Sequence, residues 1–162
     1  MVYDLETTGL SPEFDEIIEF GAVIYNYKTG ERKQVDILIK PEQKLKQFTK
    51  DLTHITDEML ADKPSIAEAF KQIYEIIDGA ILVAHNANFD FNFLNSYAQK
   101  LGYPELTNTV IDTLTIARAM YPGLKNHRLG TVAKKNGILY DEKVAHRGDY
   151  DADVLTDIYE HM

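Results

Sequence analysis

The chain has 162 residues, 44% of them hydrophobic and 27% charged, with a formal net charge of −9 and no cysteine. That is enough apolar material for one domain with a sizeable core, and it excludes disulfides and thiolate metal sites. The longest apolar run, Ala80 to Ala84, is far too short to cross a bilayer, and the start is not a basic, then apolar, then small-residue export signal, so a cytoplasmic protein with no membrane partner is the expectation.

The apolar start Met1 to Glu6 reads as a strand. Ile17 to Tyr27 and Arg32 to Lys40 are two further β-rich runs, split by the hairpin signal Lys28-Thr29-Gly30. From Ser65 the pattern changes, with Ile66, Ala69, Phe70, Ile73, Tyr74 and Ile77 at helical spacing up to the stop at Asp78-Gly79. Ser65 and Glu68 form a capping-box pattern. Then come a buried strand over Ala80 to His85, a helix from Phe89 to Leu101 stopped by Gly102, and a short strand at Val110-Ile111. Helices over Leu114 to Met120, Leu129 to Asn136 and Tyr150 to Glu160 close the reading. Three leading strands followed by alternating helices and strands predict an α/β domain with a mixed sheet and helices packed on it.

Four acids and one histidine do not fit the apolar pattern around them. Asp4 and Glu6 lie two apart on the opening strand and project from the same face. Asp90 heads the stripe Leu94, Tyr97, Leu101, and Asp151 heads the stripe Leu155, Ile158, Met162, so each aspartate stands in the first turn of a core-facing helical face. Two like charges about 4 Å apart repel by about 4 kcal/mol at an effective dielectric of roughly 20, so an inward-facing ionised cluster needs countercharge or shifted pKa values. Hard oxygen ligands with few histidines favour Mg2+ or Mn2+ as that countercharge. His146 lies five residues before Asp151. An aspartate in a first turn is more often only a cap, and each fragment alone would read that way; it is their combination that reads as a site.

These segments carry a resemblance. Asp4-Leu5-Glu6-Thr7-Thr8-Gly9-Leu10, Ala84-His85-Asn86-Ala87-Asn88-Phe89-Asp90 and His146-Arg147-Gly148-Asp149-Tyr150-Asp151 resemble, in order and spacing, the three motifs of the DEDDh, or DnaQ-like, 3'-to-5' exonucleases. Asp15 to Val23, Leu52 to Leu60 and Tyr121 to Leu129 are similar to the proofreading domain of PolC-type DNA polymerase III within that superfamily. The resemblance implies a ribonuclease H-like fold with a central mixed five-stranded sheet flanked by helices. It also implies two divalent cations, Mg2+ or Mn2+, held by Asp4, Glu6, Asp90 and Asp151, with His146 as general base.

The same resemblance implies that Thr7, Thr8, Gly9 and Leu10 meet the 3'-terminal nucleotide, with Gly9 allowing close approach and Leu10 packing on a base; a plain turn with a core Leu10 is the competing reading. A substrate-contacting histidine of several relatives aligns with Thr53, not with His54. Asn86 is expected to orient the loop before Asp90 through its side chain. His127 and Arg128, in a basic stretch with Lys125, Lys134 and Lys135, are either phosphate contacts or a solvated face, and Lys44, Lys46 and Lys50 form a second such stretch. The negative net charge argues against nucleic acid, an objection that bound cations would partly offset. His85 ends a buried strand and is expected to support the site structurally, while Gly148 stands where relatives have alanine and is expected to loosen the approach to His146.

Residues 1–162 are thus expected to be a single exonuclease domain, cut from a larger polymerase chain, because only three residues precede Asp4 and the last helix stops about three turns past Asp151. The expected partner is the single-stranded or frayed 3' end of DNA, with polymerase domains of the same parent chain beside it. Two alternatives stay open: a DEDDh exonuclease acting on RNA or in free-standing DNA repair, and a noncatalytic nucleic-acid-binding module on the same fold. No residue in the sequence distinguishes DNA from RNA, and the metal used, the oligomeric state and the processivity are not written in it.

Overall fold

The opening strand β1 (Val2–Thr7) pairs antiparallel with β2 (Ile17–Asn26), which pairs antiparallel with β3 (Glu31–Leu38), in a computed structural model that describes residues 1–162. On its other side β1 meets β4 (Leu82–Ala84), and β4 meets β5 (Val110–Asp112), both in parallel. The order β3-β2-β1-β4-β5 puts β1 at the centre of a mixed five-stranded sheet, as the sequence predicts.

Seven helices complete the chain: α1 (Gln47–Thr53), α2 (Asp57–Leu60), α3 (Ile66–Ile77), α4 (Ala87–Lys100), α5 (Thr113–Met120), α6 (Leu129–Lys135) and α7 (Gly148–His161). The α3 pattern is realised with its capping box, in which Ser65 Oγ accepts from Glu68 N and Ser65 N donates to Glu68 Oε2. Phe70, Ile73 and Ile77 on that helix are fully buried, each contributing about 1.5–3 kcal/mol of hydrophobic stabilisation. None of the helices is long and apolar enough to cross a membrane.

The pleat of β1 sorts its side chains onto two layers. Tyr3 and Leu5 join the larger core with α3 and α4, whereas Val2 joins the second core, built from α5, α6 and α7. Alternation therefore sends Asp4 and Glu6 to the face that α7 covers. The helix comes very close to the sheet there. A Cβ on Gly21 of β2 would overlap the backbone of Gly148 and Asp149, and Gly148 itself is buried against Gly21 N and the Asp4 carbonyl. Gly148 thus fits a tight backbone-to-backbone seat, and the expected loosening is not what the structure shows.

Three differences from the sequence reading have physical causes. The strand predicted over Ala80 to His85 is only three residues long, because β1 pairs with β4 at Val2↔Val83 alone and the chains then diverge. α4 and α7 each begin two residues before their predicted starts, Ala87 for Phe89 and Gly148 for Tyr150. Asn86, at φ 74°, turns the chain directly from β4 into its helix. α1 and α2 are not in the reading at all. α1 has no side-chain cap, no acid in its first turn, and buries threonines (Thr49, Thr53) where a hydrophobic stripe would have announced it.

Candidate active site

The four candidate acids arrive on three elements, and the sheet centre is where they meet. Asp4 and Glu6 come up from β1, Asp90 from the first turn of α4 and Asp151 from the first turn of α7. The divergence of β4 leaves the Leu5 N–H open, and Asp90 Oδ1 accepts it at 3.2 Å, so the carboxylate fills the gap in the ladder. Asp151 Oδ2 accepts the His146 N–H at 3.0 Å, while its Oδ1 is buried with no hydrogen-bond partner. His146 is held at φ 61°, a left-handed conformation that costs a non-glycine residue about 1–2 kcal/mol. That turn carries its ring to the acids, and ligand atoms of Glu6, His146 and Asp151 lie within 4.8 Å of one another.

Burial and mutual repulsion set the electrostatics. Glu6, Asp90 and Asp151 are all buried. Asp4 is held well above the usual carboxylate range, first by burial and then by Glu6, Asp90, Asp151 and Glu19. Burial, with Asp151, Glu19 and Asp90 adding to it, pushes Glu6 up to about 9. Burial raises Asp90 to about 7 and Asp151 to about 6, each opposed by the backbone N–H it accepts. His146 moves the other way, lowered by burial and then by His54.

These observations fit divalent cations. Four carboxylates are packed closely enough for Asp4 to be raised by the other three, and Oδ1 of Asp151 is a hard, buried oxygen without a hydrogen-bond partner. The candidate ligands are carboxylate oxygens and one imidazole, a donor set that suits a hard divalent cation and not a thiolate metal.

Beside the acids a cavity of about 610 Å³ opens, lined by Asp4, His85, Arg128, Tyr140, His146 and Asp151 among others. Arg128 is exposed at its wall. His127 is not available in the same way, since its Nε2 meets the Tyr121 carbonyl at 2.9 Å and its own carbonyl meets His85 Nε2 at 2.6 Å. His85, bridging that carbonyl and Thr113 Oγ1, has the supporting place expected of it.

The Thr7 to Leu10 turn also departs from expectation in detail. Thr7 Oγ1 donates to the Gly9 carbonyl, and Thr8 Oγ1 accepts from Glu16 N. The side of Gly9 where a Cβ would stand is filled by the Asp15 carboxylate, so a glycine is needed here to make room for Asp15. Leu10, 83% exposed, is outside the core and stands free. Asn86 caps nothing with its side chain. Instead Asp112 Oδ1 accepts from Asn86 N and Ala87 N, and asparagine suits the position because it tolerates the left-handed turn.

Thr53 must be corrected. It is 1% exposed, donates to the Thr49 carbonyl and accepts from Ile55 N, so its hydroxyl turns into the protein. His54, exposed at φ 59°, is the residue of this segment whose charge bears on His146. Glu19 and Arg147 escaped the sequence reading as well. Glu19, directly across the ladder from Glu6, is fully buried and holds Arg147 through Nε at 3.1 Å and Nη2 at 2.9 Å. A lone acid inside the apolar run Ile17-Ile18-Glu19-Phe20 was the available signal.

Known proteins are similar to this chain in sequence and in fold. The chain is 46% identical over 163 residues to the PolC-type DNA polymerase III of Ureaplasma parvum and 44% identical over 162 residues to that of Mycoplasmopsis pulmonis, with 100% and 98% of this chain covered. In both cases it spans 11% of the relative's length. Among solved structures, the nuclease domain of 3'hExo, a DEDDh family member, bound to rAMP, superposes with a TM-score of 0.83 at 23% identity, over 99% of this chain and 89% of that one. It shows the same fold. The family model described as exonuclease matches residues 1–159, nearly the whole length, and the chain belongs to that exonuclease family.

Proposed function

We propose that this exonuclease domain removes nucleotides one at a time from DNA 3' ends, releasing nucleoside 5'-monophosphates, as the proofreading activity of a cytoplasmic replicative polymerase of the PolC type. The convergence of four carboxylates from three elements, one with a buried unpartnered oxygen, carries the reading. The kinship to much longer polymerase chains supports the replicative setting and polymerase domains as neighbours on the same chain. Asp4, Glu6, Asp90 and Asp151 hold two divalent cations, Mg2+ or Mn2+. When bound, these supply Lewis acidity at the scissile phosphodiester and stabilise charge on the departing 3' oxygen.

His146, within reach of Glu6 and Asp151 and with its pKa lowered by burial, takes the proton from the attacking water. Arg128 borders the cavity through which a strand would approach, and the exposed Leu10 is the surface on which splayed terminal bases would pack. Selection then follows from melting. A paired terminus cannot reach a recessed acid cluster until its last nucleotides unpair, which costs a few kcal/mol for a sound pair and less for a mismatch.

Initial rates on matched, mismatched and single-stranded 3' ends, in DNA and in RNA, test this. Mismatched and single-stranded DNA should be degraded faster than matched duplex, only with Mg2+ or Mn2+ present, and with 5'-monophosphate products. Equal rates on matched and mismatched ends would refute proofreading, faster RNA digestion would refute the DNA assignment, and full activity in excess chelator would refute the metal role.

A further inference from the structure

His146 sits at a left-handed turn just before α7, yet the helix it precedes has no cap of its own: Arg147, the N-cap residue, makes no side-chain capping bond. The cap comes from the sheet. Glu19 Oε2 accepts the N–H of Gly148, the first residue of α7, at 2.8 Å, and Glu19 Oε1 takes Arg147 Nε and Nη2 at 3.1 Å and 2.9 Å. On the other side of the turn the His146 N–H goes to Asp151 Oδ2. His146 is therefore pinned from both directions, by a buried strand carboxylate after it and by the first-turn aspartate of α7 before it. The Arg147 fork also supplies a positive partner to Glu19, which would otherwise be one more buried carboxylate facing Glu6 across the ladder.

We propose that Glu19 and Arg147 are positioning residues that hold the His146 turn, and so aim its imidazole at Glu6 and Asp151. This rests on His146 being the general base. Arginine is required because its planar fork spans Glu19 with two donors while the backbone of the next residue uses the remaining oxygen; lysine brings the charge but a single, flexible point of contact.

A double-mutant cycle separates positioning from mere folding. Arg147→Lys should lower kcat by about ten- to a hundredfold, the scale of a misplaced catalytic group, with KM for a short oligonucleotide and calorimetric Mn2+ affinity unchanged. In a His146→Ala background the same substitution should cost no further rate, because its effect passes through the missing ring. In the metal-free protein, backbone hydrogen exchange at His146 should rise roughly tenfold in Arg147→Lys while amides of α3 and α4 keep theirs. Equal fold-losses in both backgrounds, or an unchanged His146 amide, would overturn the positioning role. A His146→Ala variant with parental turnover would instead overturn the base assignment and leave the tether readable in the exchange data alone. Should Arg147→Lys fail to fold, Glu19→Gln, which keeps the size and an acceptor for Gly148 N, runs through the same kcat cycle and exchange measurement with the same expected pattern and the same overturning results; Mn2+ affinity is left out there, because the Glu19 charge also acts on Asp4 and Glu6.

Discussion

Asp151 divides its carboxylate between two tasks, one oxygen receiving the His146 N–H and the other left buried and unpartnered. The first task needs only an acceptor, the second a negative oxygen. Asp151→Asn separates them, since an amide oxygen can still hold the His146 turn while the charge is gone. Activity and tight cation binding should be lost. The metal-free protein should nevertheless become more stable at pH 8, because burial raises Asp151 to about 6 and ionising it there works against folding. A gain on the order of 1 kcal/mol corresponds to a rise in Tm of roughly 2–4 °C for a chain of this size. Calorimetry in chelator checks it, and a lower Tm would show that the pair with His146 outweighs the buried charge.

At the scale of elements, the site depends on how closely α7 can approach the sheet. The Gly21 and Gly148 backbones touch, and that closeness sets the depth at which Asp151 and His146 stand over Asp4 and Glu6. Gly21→Ala puts a methyl group into the Gly148 backbone, which cannot yield as a side chain would. Overpacking of this kind destabilises by about 1–3 kcal/mol, and the helix should lift where it starts. Thermal melts and Mn2+ titration should show a Tm lower by roughly 3–10 °C together with weaker metal binding. Gly148→Ala is the milder change, its Cβ meeting Gly21 N at 3.0 Å and the Asp4 carbonyl at 3.2 Å, a tight contact where Gly21→Ala makes an outright overlap. A Gly21→Ala protein with parental metal affinity would mean that α7 does not set the site's depth.

For the whole molecule, the acid cluster links stability to pH and metal. A carboxyl whose folded pKa lies above its unfolded value binds its proton more tightly when folded, so stability is fully present below the unfolded pKa and is lost as pH rises through the folded one. Asp151, Asp90 and Glu6, pushed up to about 6, 7 and 9, carry that loss from near pH 4 upward to about pH 9. The Tm of the metal-free protein should therefore fall as pH rises over this window. Saturating Mg2+ or Mn2+ should raise Tm most at the alkaline end, because cations bind the ionised folded form. A metal-free Tm that climbs from pH 5 to 8, or a cation effect independent of pH, would contradict the cluster's electrostatics.

Much of this was legible in the chain itself, for reasons that are local. Residues two apart on a strand share a face, and residues at i, i+4 and i+7 share a helical stripe, so Asp4 with Glu6, and Asp90 and Asp151 at the heads of their stripes, could be picked out as acids turned inward. The hairpin, the capping box of α3 and the mixed sheet followed from equally short-range patterns. What only the tertiary structure decided involves partners that no local period connects. Arg147 finds Glu19 across 128 positions of sequence, Leu5 N–H finds Asp90 across 85, and Gly21 finds Gly148 because a helix end happens to land on a strand. Thr53 and His54 differ by one residue, yet the end of a short helix that sequence periodicity does not announce turns one inward and leaves the other exposed. Sequence carries the identity of the candidate groups; the distances between them come from packing one layer of the fold against another.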